Sequence, residues 1–334
     1  MHFAFTDDQI LFRDTVRDIL RNECAPDAVR AAWTNESGRV PGLWATLAAT
    51  GLVGLTAPES ADGLGMDEID FVMLAEETGR AACPEPLVEH VAVAVPLLVE
   101  AGGSAAQRWL GPASIGEATL TVGFDALGYV LGADQADVLL LERNGEFHRV
   151  DPAEVTMTRQ RSVDDSRRIF SIDWQPRTDT IVTADSDIIA RSFDRGCLAT
   201  AAQCVGVAQQ LVDLTVAYVG EREQFGKPVG VNQAVKHHLA DAALGIEFAR
   251  PMVSVGAYSL TNRSSDASRD VSVAKALASD AVDKACRVAL QCHGAIGYTV
   301  EYDLQLWLKR GWALAASWGD SAWHRDRVGT SIGV

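Results

Sequence analysis

Apolar residues in the first third of the chain recur at helical spacing. Phe12, Val16, Ile19 and Leu20 form one such face, because steps of three and four place side chains on the same side of an α-helix. Thr6-Asp7-Asp8-Gln9 precedes that face with capping-box spacing and predicts the helix start. Trp44, Leu47 and Ala48 mark a short helix closed by Gly51, and Pro58, Gly63 and Gly65 mark a loop. Ile69, Val72, Met73 and Glu76-Glu77 open a third helix that ends near Gly79. Leu87 to Gly102 supplies a fourth, which Pro96 bends or interrupts.

The texture then changes. Thr119-Leu120-Thr121-Val122-Gly123, Val138 to Leu141 and Arg168 to Trp174 are short β-rich runs separated by Gly, Asp and Asn. Asn144-Gly145 lies between two of these runs and predicts a hairpin. The last part is helical again. Leu198, Ala201, Val205, Ala208, Val212, Val216 and Val219 form one stripe; Val271, Ala274, Ala278, Ala281, Ala285, Val288 and Cys292 form another of smaller side chains. Small residues let helices approach closely, as in a bundle. The predicted fold is mainly α with a small β domain: a helical domain over 1–116, a shortened β domain over 117–185 and a helical bundle over 186–334.

Charge narrows the function. A net charge of −16 over 334 residues argues against nucleic-acid binding, which needs clustered Lys and Arg. No apolar run approaches bilayer length, and Met1 to Asp8 lacks the pattern of a secretory signal. Six cysteines without C-x-x-C spacing read as reduced residues of a cytoplasmic protein, with no metal site. His237-His238 lacks the offset of three or four that a metal pair on a helix requires.

Candidate chemistry concentrates in two segments. The first is Tyr218-Val219-Gly220-Glu221-Arg222-Glu223-Gln224-Phe225-Gly226-Lys227-Pro228, followed by Gln233 and Leu239-Ala240-Asp241. The second is Gln291-Cys292-His293-Gly294-Ala295-Ile296-Gly297-Tyr298-Thr299 with Glu301-Tyr302. Gly226 and Pro228 read as the end of the long helix, with Arg222 and Phe225 at its mouth. A guanidinium there can pair with a pyrophosphate, and Phe225 offers an apolar face.

These segments resemble the signatures of the acyl-CoA dehydrogenase family, and Thr6 to Gly65 is similar to the family's N-terminal domain. The resemblance implies an FAD-dependent oxidoreductase that dehydrogenates an acyl-CoA thioester at Cα and Cβ, with electron-transfer flavoprotein as acceptor. It assigns Arg222, Gln224, Phe225 and Gln233 to the pyrophosphate and adenosine end of FAD bound mainly by a neighbouring subunit. Gln291, His293 and Gly294 line the same cofactor in that reading.

The chain departs from the family at the base. Removing the Cα proton takes a carboxylate on the face opposite the flavin, which does the redox work. Family members place a Glu in one of two positions, and the aligned residues here are Trp318, in Trp318-Gly319-Asp320, and Gly196, in Phe193-Asp194-Arg195-Gly196-Cys197. Asp320 is the nearby substitute, two positions on and so ~200° around a helix axis. A helix cap or a partner for Arg325 is the competing role for it. The middle domain also lacks the Trp-Ile-Thr segment that packs against the flavin ring, and Phe124 to Gly132 matches the flavin-contacting loop poorly.

Two readings follow. In one, the chain is the base-lacking subunit of a hetero-oligomer with a homologous acyl-CoA dehydrogenase chain; it resembles the shorter chains of actinobacterial heteromeric enzymes of steroid side-chain degradation. In the other, it is a self-sufficient homo-oligomer using Asp320. An oxidase-like relative shares the fold, and no residue here favours it.

Overall fold

The computed structural model describes residues 4–334. Thr6 opens α1 (Asp7–Glu23) with both capping-box bonds in place, its hydroxyl accepting from Gln9 N–H and the Gln9 side chain accepting in return. Val16 and Leu20 are buried on the predicted face, with Phe12 and Ile19 packed at its rim. Helices α2 (Pro26–Thr34), α3 (Leu43–Ala49) and α4 (Glu68–Arg80) follow. The fourth predicted helix is irregular: Val88–Ala94 is wound as a π-helix, and Pro96 sits in the first turn of α5 (Val95–Ala101). Pro96 therefore sits inside one continuous helical run, just past the π-wound turns, where it removes a helix hydrogen bond. Helix α6 (Gly103–Ser114) ends the first helical group.

The sheet runs β1 (Leu120–Gly123), β2 (Val130–Leu131), β3 (Val138–Arg143), β4 (Glu146–Val150), β5 (Thr156–Gln160), β6 (Ile169–Asp173) and β7 (Ile181–Thr183), in spatial order β5-β6-β2-β1-β3-β4-β7. Asn144 and Gly145, at φ 55° and 78°, make the predicted hairpin between β3 and β4.

Helix α7 (Ser186–Glu221) is the spine of the bundle, and α8 (Gln233–Thr261), α9 (Ala267–His293), α10 (Leu304–Ala316) and α11 (Ser321–Ile332) pack around it. Its apolar stripe is buried except at Val216, which faces solvent. Helices α4 and α7 touch backbone to backbone: a Cβ on Gly206 would stand 1.9 Å from the Glu76 carbonyl oxygen, and one on Gly79 would stand 2.2 Å from that of Gln203. Such contacts leave glycine as the residue that fits. Among the described residues no helix is long and apolar enough to cross a membrane.

Candidate active site and cofactor surface

The first motif folds differently from the helix cap predicted for it. Helix α7 stops at Glu221, and the chain turns back as a two-stranded hairpin, β8 (Glu223–Gln224) against β9 (Lys227–Pro228). Phe225 and Gly226 form its turn at φ 53° and 77°. Two successive positive φ values are what a tight type I′ hairpin requires, so Gly226 serves the turn and not the helix end. A bulky residue seldom adopts such a φ, and here the conformation leaves Phe225 100% exposed. Arg222, Gln224 and Gln233 are exposed beside it.

The second motif meets the first through stacked rings. The His293 imidazole lies 4.3 Å from the Tyr218 ring at an interplanar angle of 17°, with Tyr302 tilted against it at 5.3 Å. Its Nδ1 is 2.8 Å from the Ala289 carbonyl oxygen. Burial lowers its pKa, which keeps the ring neutral. His293 is buried and reaches the surface through Tyr218, whereas Gln291 and Gly294 are exposed. The ring stack fixes the end of α7 against the end of α9. The open backbone at Gly226 and Gly294, where an added Cβ meets nothing within 4 Å, and the exposed Arg222 fit the pyrophosphate end of a dinucleotide.

The two base positions, 122 residues apart in sequence, meet in space, and neither holds a carboxylate. A Cβ on Gly196 would stand 2.4 Å from the Trp318 ring, so the indole fills the space a side chain at 196 would need. Phe124 and Phe193 close around that indole at ring-centroid distances of 5.6 and 5.7 Å. Asp320 is exposed and caps α11, accepting from Trp323 N–H at 2.8 Å. Arg325 pairs with Asp280 and leaves Asp320 free for that cap.

Beside Trp318 lies a polar cleft that sequence reading missed. Glu85, Glu89, Arg167, Gln203 and Arg310 line it with Trp318, around a cavity of about 40 Å³. Arg310 pairs with buried Asp164 and donates to Ser166 Oγ and to the Cys83 carbonyl, each at 2.7 Å. Burial pushes the Glu89 carboxyl up, against the opposing pull of Arg167. These residues are scattered over four regions of sequence, and no spacing links them. Lys275 did leave a signal: it is a lysine next to the small-residue stripe of α9, and it is fully buried.

Burial raises the Glu85 carboxyl to about 7, opposed by Arg39 and by the Val40 N–H. A carboxyl with a raised folded-state pKa binds its proton more tightly in the native state. Its stabilising effect is therefore full below the unfolded pKa of 4.5 and is lost as pH rises toward 7. We expect Glu85→Gln to flatten the fall in thermal midpoint across that window. An unchanged slope in pH-dependent melting curves would remove Glu85 from the account.

A helical domain, a small sheet and a long-helix bundle, with an exposed arginine-and-glycine surface and a buried cleft at their junction, define an acyl-CoA dehydrogenase type of fold. Family models agree: the acyl-CoA dehydrogenase N-terminal domain matches residues 6–117 and the C-terminal domain matches residues 186–333. The chain belongs to the acyl-CoA dehydrogenase family, FAD-dependent oxidoreductases acting on a CH–CH bond. It is 31% identical to the acyl-CoA dehydrogenase IpdE2 of Mycolicibacterium smegmatis over 91% of this chain and 92% of that one. Among solved structures, a Tcur3481-Tcur3483 steroid acyl-CoA dehydrogenase variant aligns with a TM-score of 0.89 at 25% identity, covering 98% of each chain. The ChsE4-ChsE5 complex of Mycobacterium tuberculosis shares the fold, with a TM-score of 0.90 at 21% identity over 100% of this chain and 99% of that one.

Proposed function

We propose that this chain is the base-lacking subunit of a heteromeric acyl-CoA dehydrogenase. It holds the ADP end of FAD for a homologous partner chain that carries the catalytic glutamate. The observation that carries this reading is the pairing of Gly196 with Trp318: both base positions are apolar and packed against each other. Asp320 is engaged as a helix cap and faces solvent.

Residues of this chain act by binding and positioning. Arg222 pairs with the pyrophosphate, and Gln224, Gln233 and Gln291 supply polar contacts around it. Phe225 offers an apolar face, and Gly294 leaves room for close approach. The Tyr218–His293 stack holds the two segments together. FAD held there would supply the acceptor for the hydride leaving Cβ, with an electron-transfer flavoprotein as the expected next acceptor. Exposed Phe225, Phe248 and Tyr298 add apolar surface that an oligomer would cover. The Tcur3481-Tcur3483 and ChsE4-ChsE5 assemblies, and the steroid named for the first, support a heteromer acting on a steroid-derived or similar acyl-CoA.

The test is flavin retention. Arg222→Ala removes a charge-assisted contact, worth about 1.5–3 kcal/mol, or roughly ten- to a hundred-fold in affinity. The mutant assembly should lose yellow colour on dialysis that leaves the wild type loaded. Full flavin content after extensive dialysis would refute the assignment, as would a stable flavin-loaded monomer in light scattering.

A further inference from the structure

We infer that Trp318 is a resident plug: its indole occupies this chain's own acyl cleft, and the loop carrying it is latched so that no acyl thioester binds there. The inference rests on the functional reading above, which puts the thioester of an active chain beside residues 196 and 318.

Trp318 is 3% exposed and sits at φ 57°. A bulky residue in that left-handed region is strained and persists where its surroundings hold it. The surroundings here are specific. Fully buried Lys275 donates from Nζ to the Gly319 carbonyl at 2.9 Å, the Ala315 carbonyl at 3.2 Å and Ser279 Oγ at 2.8 Å. His324 Nε2 lies 2.9 Å from the Trp318 carbonyl oxygen, and Cys197 Sγ lies 3.3 Å from the same oxygen. Arg167 reaches across from the sheet domain to Ser317 Oγ at 2.5 Å. Four side chains from four segments thus fix residues 315–319, and they fix the loop with its ring inward.

Size decides the consequence. The space beside the indole is about 40 Å³, room for about three waters at ~10–15 Å³ each. The carbonyl, sulfur and first carbons of a thioester need more. Phe124 and Phe193 pack edge-on against the ring and hold it over the cleft. A loop that only needed to lack a carboxylate could have carried a small residue; this one carries a large ring, braced by a buried lysine.

The experiment is a titration of the flavin-loaded heteromer with a butyl-CoA thioether, which has CH2 in place of the thioester carbonyl and cannot be dehydrogenated in the normal way. Calorimetry should give one equivalent per pair of chains in the wild type and two when this chain carries Trp318→Gly. Two equivalents in the wild type would overturn the plug while leaving the base-lacking reading intact. Dehydrogenation by this chain alone would instead overturn that reading. A folded Trp318→Gly heteromer that still binds one equivalent also overturns the plug. If that variant does not fold, the wild-type stoichiometry decides by itself.

Discussion

Asp320→Asn should leave turnover of the assembled enzyme nearly unchanged, while replacing the catalytic Glu of the homologous partner chain by Gln should lower it by roughly 10²–10⁴. The second figure is the usual cost of losing a general base. The first follows from what Asp320 does in the fold, where it accepts from Trp323 N–H and opens α11. Asn caps a helix about as well as Asp, so the substitution removes a charge and keeps the cap. Asp320→Ala would cost about 0.5–2 kcal/mol of stability through the lost cap, without reporting on chemistry. Steady-state rates of the two heteromers, with flavin content matched, separate the readings. Robust turnover by a homo-oligomer of this chain, abolished by Asp320→Asn, would make Asp320 the base.

A comparably large effect is expected at Arg310, where the three parts of the chain are tied together. Its guanidinium, on α10, pairs with Asp164 and Ser166 from the sheet domain and donates to the Cys83 carbonyl beyond α4. Arg310 is 6% exposed and Asp164 1%. Removing one member of a buried pair leaves the other as an uncompensated charge, at a cost of about 3–5 kcal/mol. Arg310→Met should therefore lower the denaturant midpoint sharply. Arg310→Met with Asp164→Asn should recover part of the loss, because the stranded carboxylate is gone. A single mutant as stable as the wild type would show that the pair does not hold the domains together.

The elements legible beforehand were those with local causes. The capping box at Thr6, the Asn144-Gly145 hairpin and the α7 and α9 stripes each depend on residues within a few positions of one another. A local signal with two structural solutions was not legible in the same way. Gly226 and Pro228 suit a helix stop and a hairpin equally, and the pairing of Glu223–Gln224 with Lys227–Pro228 chose the hairpin. Nor does the motif reveal that His293 is turned inward, because a histidine in a motif carries no record of which ring it stacks on.

Sequence by itself determined the succession of a helical part, a β-rich part and a second helical part, the family, and the absence of a carboxylate at positions 196 and 318. Those are properties of periodicity and residue identity, which survive without a fold. Tertiary structure alone decided that Gly196 and Trp318 touch, that Lys275 and His324 brace the loop between α10 and α11, and that Arg310 joins three regions. Such contacts link residues up to 227 positions apart. Long-range contacts of this kind are set by how faces pack once the elements exist, and neither spacing nor propensity along the chain encodes which buried group meets which.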